Sequence, residues 1–96
     1  MESPIERMKR KIMKENLWFF ILKILEKNEK YGKEIRENVK KEYGFWVGNV
    51  TAYKVLYRLD KGGYVDFYDK GRRRYYKITS KGKNEVKDAK KFLKSL

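Results

Sequence analysis

Apolar residues recur along this chain with helical spacing, and for one short stretch with the spacing of strands. Ile5, Met8 and Ile12 step by three and four residues through a basic segment, which places them on one helical face. Ser3-Pro4-Ile5-Glu6 in front of them is a capping box, with Ser at the cap, Pro at the first helical position and Glu three after the cap. A helix is therefore expected to start at the N-terminus, and to run on through Asn16 or bend there. Leu17 to Leu25, LWFFILKIL, is apolar at all positions but Lys23. A helix apolar nearly all round must be covered on more than one side. In a chain with so small a core the expected second cover is a twin chain, with the later helices and the hairpin as its competitor. Leu17, Trp18, Phe20, Ile21 and Ile24 are the expected contacts.

Glu26 to Lys30 is polar, and Tyr31-Gly32 reads as a turn. Ile35, Val39 and Tyr43 are spaced by four and predict a helix over Lys33 to Tyr43, with Gly44 as its left-handed C-cap. Phe45-Trp46-Val47 is a short apolar connection. Gly48 to Leu59, GNVTAYKVLYRL, predicts the next helix, with Asn49 as N-cap. Tyr53, Leu56 and Leu59 form its apolar face, Thr51, Lys54 and Arg58 share another, and Gly62-Gly63 ends it. After Gly63 the period falls to two. Val65 and Phe67 share a face, Asp69-Lys70-Gly71 is a hairpin turn, and Arg72 to Ile78 returns with Tyr76 and Ile78 on one side. Thr79 caps a last helix, Ser80 to about Ser95. Its Val86, Ala89, Leu93 and Leu96 step like the seam of two packed helices. The seam is too short to hold alone, so these four residues are also expected at a dimer interface, against the twin's first helix.

Charge changes the picture. Lys and Arg number 26 and Asp and Glu 13, for a net charge of +13, which suits a partner that is a polyanion. The candidates are nucleic acid and an anionic membrane surface. Neither Cys nor His occurs, which removes disulfides, zinc fingers and nucleophiles built on either residue. No metal site, cofactor or enzymatic centre suggests itself. The most apolar run is far shorter than the roughly 20 residues that span a bilayer. The chain is expected to be one soluble, cytoplasmic domain over residues 1–96 with no membrane association.

Two helices joined by a short turn, the second basic, match a helix-turn-helix, and a basic hairpin after it is a wing. The expected class is mainly α with α+β character: a winged helix-turn-helix of three helices, a two-stranded wing and a C-terminal helix for dimerisation. Side chains near the start of a recognition helix reach base edges in the major groove. Asn49 can pair with adenine. Lys54 and Arg58 can reach guanine or phosphate, Thr51 a phosphate or a thymine methyl, and Tyr53 and Tyr57 stand beside them. At the wing tip Lys70, Arg72, Arg73 and Arg74 are expected on the DNA backbone or in the minor groove. Tyr64, Tyr68 and Tyr75 read as cross-strand packing pairs rather than as a platform for unpaired bases. The alternative to a site-specific regulator is a sequence-independent, chromatin-like nucleic-acid binder.

Three groups of residues carry a resemblance. Tyr31-Gly32-x-Glu34-Ile35 is the first. Val50-Thr51-Ala52-Tyr53-x-x-Leu56-x-x-Leu59-x-x-x-Gly63-Tyr64-Val65 is the second, and Arg74-Tyr75-Tyr76-x-Ile78-Thr79-x-x-Gly82 the third. From about Leu17 to Gly82 the chain resembles the PadR family of winged-helix transcriptional regulators, as a short, archaeal-type member. The resemblance implies a homodimeric repressor that binds double-stranded DNA with the helix around Thr51 and Tyr53. It also implies that the N- and C-terminal helices make the dimer. Where that family usually has Gly before Tyr, Tyr31 here precedes Gly32. Where it often has Pro-Gly-Thr, Asn49-Val50-Thr51 stands here. A small-molecule effector is left open, with Trp18 and Trp46 as the first side chains to examine.

Overall fold

A computed structural model describes residues 1–96. In chain order it contains α1 (Pro4–Glu15), α2 (Leu17–Lys27), β1 (Lys30–Tyr31), α3 (Gly32–Tyr43), α4 (Asn49–Lys61), β2 (Val65–Lys70), β3 (Arg73–Ile78) and α5 (Ser80–Lys94). Everything is arranged around α2. Leu17, Phe19, Ile21, Leu22, Ile24 and Leu25 are all buried, so its apolar surface covers more than one side. Helices α3, α4 and α5 and strand β3 pack on it. One cluster of 15 buried residues results, with no buried polar side chain.

This wrapping corrects the expectation for the dimer interface. Leu17, Ile21, Ile24 and Val86 are at most 3% exposed within the single chain. They are core, because the chain's own later elements supply the second cover that a twin was expected to give. Trp18, Phe20 and Ala89 are half-buried against the same core. Leu93 and Leu96, past the covered part of α5, are exposed.

Helix α1 opens with the expected capping box: the Glu6 N–H donates to Ser3 Oγ at 3.2 Å, and the Ser3 N–H to Glu6 Oε1 at 3.4 Å. The helix ends at Glu15. Asn16 (φ −123°, ψ 37°) leaves the helical region and donates from both its backbone and its side-chain nitrogen to the Ile12 carbonyl. The N-terminal segment is therefore two helices rather than one. None of the α1 residues is buried.

The sheet is three-stranded and antiparallel, in the order β1-β3-β2. The wing was expected as two strands, and the third is an addition. Lys30 and Tyr31, read as polar connection and turn, pair with Tyr76 and Tyr75. Tyr31 is also the N-cap of α3, and its N–H donates to Glu34 Oε1 at 3.1 Å. The hairpin turn is tighter than expected: Asp69 and Lys70 stay in β2 and the turn is Gly71-Arg72, with Gly71 at the expected positive φ (63°).

Two expectations for α4 also change. Gly48, not Asn49, is its N-cap, so Asn49 lies in the first turn with its side chain unused for capping. Ala52, Leu56 and Leu59 are buried, while Tyr53 is about half exposed (51%). The small Ala52 takes the core position that the spacing had offered to Tyr53. Beyond α4, Gly63 carries the left-handed backbone (φ 79°). Helix α5 is pinned at its start. Thr79 Oγ1 accepts the Gly82 N–H at 3.1 Å and donates to the Gly63 carbonyl at 2.6 Å. Gly82 allows this approach, since a Cβ there would lie 2.2 Å from the Tyr64 carbonyl oxygen.

Candidate nucleic-acid interface

By turning Ala52, Leu56 and Leu59 inward, α4 fixes what faces out. Opposite them lie Val50, Lys54, Tyr57 and Lys61, stepping by four, three and four, all exposed. Asn49 is exposed at the start of the row. Thr51 and Arg58 flank the row on the side of α1 and α2. Together with Lys54 they line a cavity of ≈ 600 Å³ whose other walls include Lys14, Trp18, Tyr64 and Glu85. Tyr53 flanks the row on the side of the wing, where it shares a groove with Arg74 and Tyr76. It also rests on the start of α3, because a Cβ at Gly32 would meet the Tyr53 hydroxyl at 3.4 Å.

The wing divides its cations. Asp69 faces Arg74 across the hairpin, and the pair makes two contacts, from Nε at 2.8 Å and from Nη2 at 3.2 Å. That hydrogen bonding holds the Asp69 carboxyl below its ordinary range and raises Arg74. The Arg74 guanidinium also lies 4.0 Å from the Phe67 ring centre. Arg74 is thus neutralised within the wing. Arg73 projects from the opposite face of the hairpin, 4.4 Å from the ring of Tyr31. Lys70, Arg72 and Arg73 have no carboxylate partner. Of the four expected wing cations, three carry no ion pair.

Tyr31, Tyr75 and Tyr68 line up across the three strands. Tyr68 stacks on Tyr75 at 5.5 Å, and Tyr75 meets Tyr31 edge-on at 5.6 Å. The Tyr68 hydroxyl donates to Glu29 Oε2 at 2.6 Å, which raises its pKa. Tyr68 and Tyr75 are therefore a cross-strand packing pair, whereas Tyr64 packs beside α5, with Lys81 Nζ 4.6 Å from its ring centre.

Three outward residues escaped the sequence reading: Val50, Lys61 and Lys14. The first two belong to the four-three-four row that contains Lys54 and Tyr57, so the helical period alone could have found them. Lys14 is joined to the site only by the folding of α1 against α2. Trp18 lines the cavity, while Trp46 is exposed in the 44–48 connection and does not.

Comparison with known proteins decides the family. The profile of the transcriptional regulator PadR-like family matches residues 21–88, most of the chain. The chain belongs to the PadR-like family of transcriptional regulators. Among PadR-like and other relatives, an uncharacterised protein of Lysinibacillus sphaericus is 33% identical over 79 residues, spanning 75% of this chain and 72% of that one. A transcriptional regulator from Clostridium thermocellum superposes with a TM-score of 0.80 at 27% identity, over 88% of both chains. Bacillus subtilis PadR, solved in complex with operator DNA, superposes with a TM-score of 0.68 at 29% identity, over 75% of this chain and 45% of its own. The winged helix-turn-helix expected from the sequence is the PadR-like fold seen here, with five helices and a three-stranded sheet. No helix is long and apolar enough to cross a membrane.

Proposed function

We propose that this PadR-like chain is a homodimeric, sequence-specific regulator that binds double-stranded DNA and represses transcription by occupying its operator. One observation carries the reading: the outward row of α4 is flanked by Lys70, Arg72 and Arg73 of the wing, which have no carboxylate partner within the chain. The major groove, about 12 Å wide, admits a single helix. In this reading Asn49 takes adenine, Lys54 and Arg58 take guanine or phosphate, and Thr51 takes a phosphate or a thymine methyl. Tyr53 and Tyr57, neighbours on the wing side of Lys54, fill the groove there. Lys70, Arg72 and Arg73 hold phosphates, while Arg74 stiffens the wing. That B. subtilis PadR was solved on operator DNA supports the choice of partner.

The dimer rests on apolar surface left uncovered by the single chain. Ile5, Met8 and Ile12 on α1, with Phe92 and Leu93 on α5 and Leu96 just past its end, are exposed. Such stripes mark association surfaces.

The test is a fluorescence-anisotropy titration with DNA from upstream of the chain's own gene and a scrambled duplex of equal length, at several salt concentrations. A preference of roughly a thousandfold or more is expected for the upstream DNA. Arg58→Ala should weaken specific binding more than nonspecific binding, while Arg72→Ala should weaken both alike. Equal, steeply salt-dependent binding to both duplexes would replace this reading with a sequence-independent binder. In-vitro transcription from the bound promoter, falling as protein is added, checks the repressor assignment.

A further inference from the structure

We infer that α1 is a second DNA-backbone contact, its basic side laid against phosphates that flank the groove occupied by α4. This rests on the duplex-DNA reading above and adds a surface to it. Helix α1 has two stripes. Ile5, Met8 and Ile12 form one, and Arg7, Lys11 and Lys14, spaced by four and three, form a contiguous basic stripe that adjoins it, with Met8 beside Arg7 and Lys11. All three cations are exposed, and none has a carboxylate partner. Arg10, by contrast, is neutralised by Glu2 at 2.9 Å. Since α1 buries none of its residues, packing does not explain its cations.

The direction of the basic side follows from the cavity beside α4. Lys14 lines the same space as Lys54 and Arg58, so the end of the α1 cation stripe opens onto the flank of the recognition helix. Arg7, Lys11 and Lys14 thus continue the line begun by Lys54 and Arg58. Glu15 and Glu85 at the same cavity offset only part of that charge. Twelve helical residues extend about 18 Å at 1.5 Å each. A duplex presents a charge about every 1.7 Å of its axis, so several phosphates fall within that length. An anionic bilayer fits less well. A helix lying in a membrane surface must bury its apolar side, and in the dimer proposed above Ile5, Met8 and Ile12 are taken up by the second chain.

The test uses the full chain and a random-sequence duplex, so it does not depend on knowing the operator. The slope of log affinity against log salt is measured for three proteins. These are the wild type, Arg7→Gln/Lys11→Gln/Lys14→Gln, and the charge-matched control Lys87→Gln/Lys91→Gln/Lys94→Gln on the side of α5 turned away from Glu85. Each lost phosphate contact lowers the slope by about 0.9. The α1 triple is expected to lower it by about two to three, and the α5 triple by less than about one. Circular dichroism confirms that both variants keep their helices; if the α1 triple does not, single Lys11→Gln, expected to lower the slope by about one, takes its place. Equal changes in both triples, or none in the α1 variant, would overturn the inference. So would loss of binding to phosphatidylglycerol vesicles by the α1 triple with its DNA slope intact. If the wild type fails to bind duplex DNA at all, the underlying reading falls instead.

Discussion

Helices α1 and α2 are of nearly equal length, twelve and eleven residues, and only Asn16 separates them. One buries nothing and the other buries six side chains. The difference teaches which surface of a small protein is scaffold and which is left for partners. Being apolar nearly all round made α2 look like an interface, yet the chain spends its own α3, α4, α5 and β3 to cover it. The narrow stripe on α1, far less apolar in total, is what stays uncovered. An uncovered stripe is a better sign of association than a large apolar total.

Substitutions can break that comparison. The largest effect is expected from Leu22→Ala, because Leu22 is fully buried. It should cost about 2–5 kcal/mol in chemical denaturation, whereas exposed Met8→Ala should change stability by less than about 0.5 kcal/mol in dilute protein. Similar losses from both would mean that α1 is part of the cooperative core.

Next comes the cover that α5 gives. Gly82→Ala drives a Cβ against the Tyr64 carbonyl and should cost about 1–3 kcal/mol as α5 is pushed off. If stability is unchanged, α5 does not close the core as tightly as its first turn indicates. The two caps sharpen the contrast further. Thr79→Ala should cost about 1 kcal/mol, since it removes the cap and the bond to Gly63. Ser3→Ala removes a similar cap, but it should lower helical content by circular dichroism with little change in the unfolding midpoint. An equal fall in midpoint from both caps would erase the distinction between covered and free helices.

The smallest effect concerns a contact made without burial. The hydrogen bond to Glu29 raises the Tyr68 pKa above its ordinary 10.0 and favours the neutral phenol in the folded protein. Its contribution is full below the unfolded-state value and is lost as pH rises through the folded one. In an NMR titration Tyr68 should therefore ionise at lower pH in Glu29→Ala, and the small loss in melting temperature should be present near neutral pH and vanish as pH rises through the folded-state value. No shift in that variant would remove the tether from the account.

Much of this was legible in the sequence. The capping box at Ser3, the left-handed Gly44 and the Thr79 cap are local chemistry and stand where the residues place them. What the sequence left obscure was relational. The periodicity of α2 states how many sides need cover, not which chain covers them. Strand β1 has two residues, too few to show an alternation. Gly48 and Asn49 both suit an N-cap, and only the path of the chain selects the first. The Asp69–Arg74 pair emerges only once the hairpin register is fixed, and with it the neutralisation of one wing arginine. Lys14 reaches the cavity beside α4 through the angle at Asn16, which no spacing encodes.

Tyr31 belongs to two elements at once, ending β1 and capping α3. No linker lies between the wing's root and the first helix of the helix-turn-helix, and Thr79 alone joins β3 to α5. The wing cannot swing without carrying the start of α3 with it. Tyr53, resting on Gly32, brings the same joint against the recognition helix. The interval between wing tip and recognition helix is therefore a fixed gauge. On the reading proposed above, a duplex docked there would be measured against that gauge, with its own groove width supplying the adjustment.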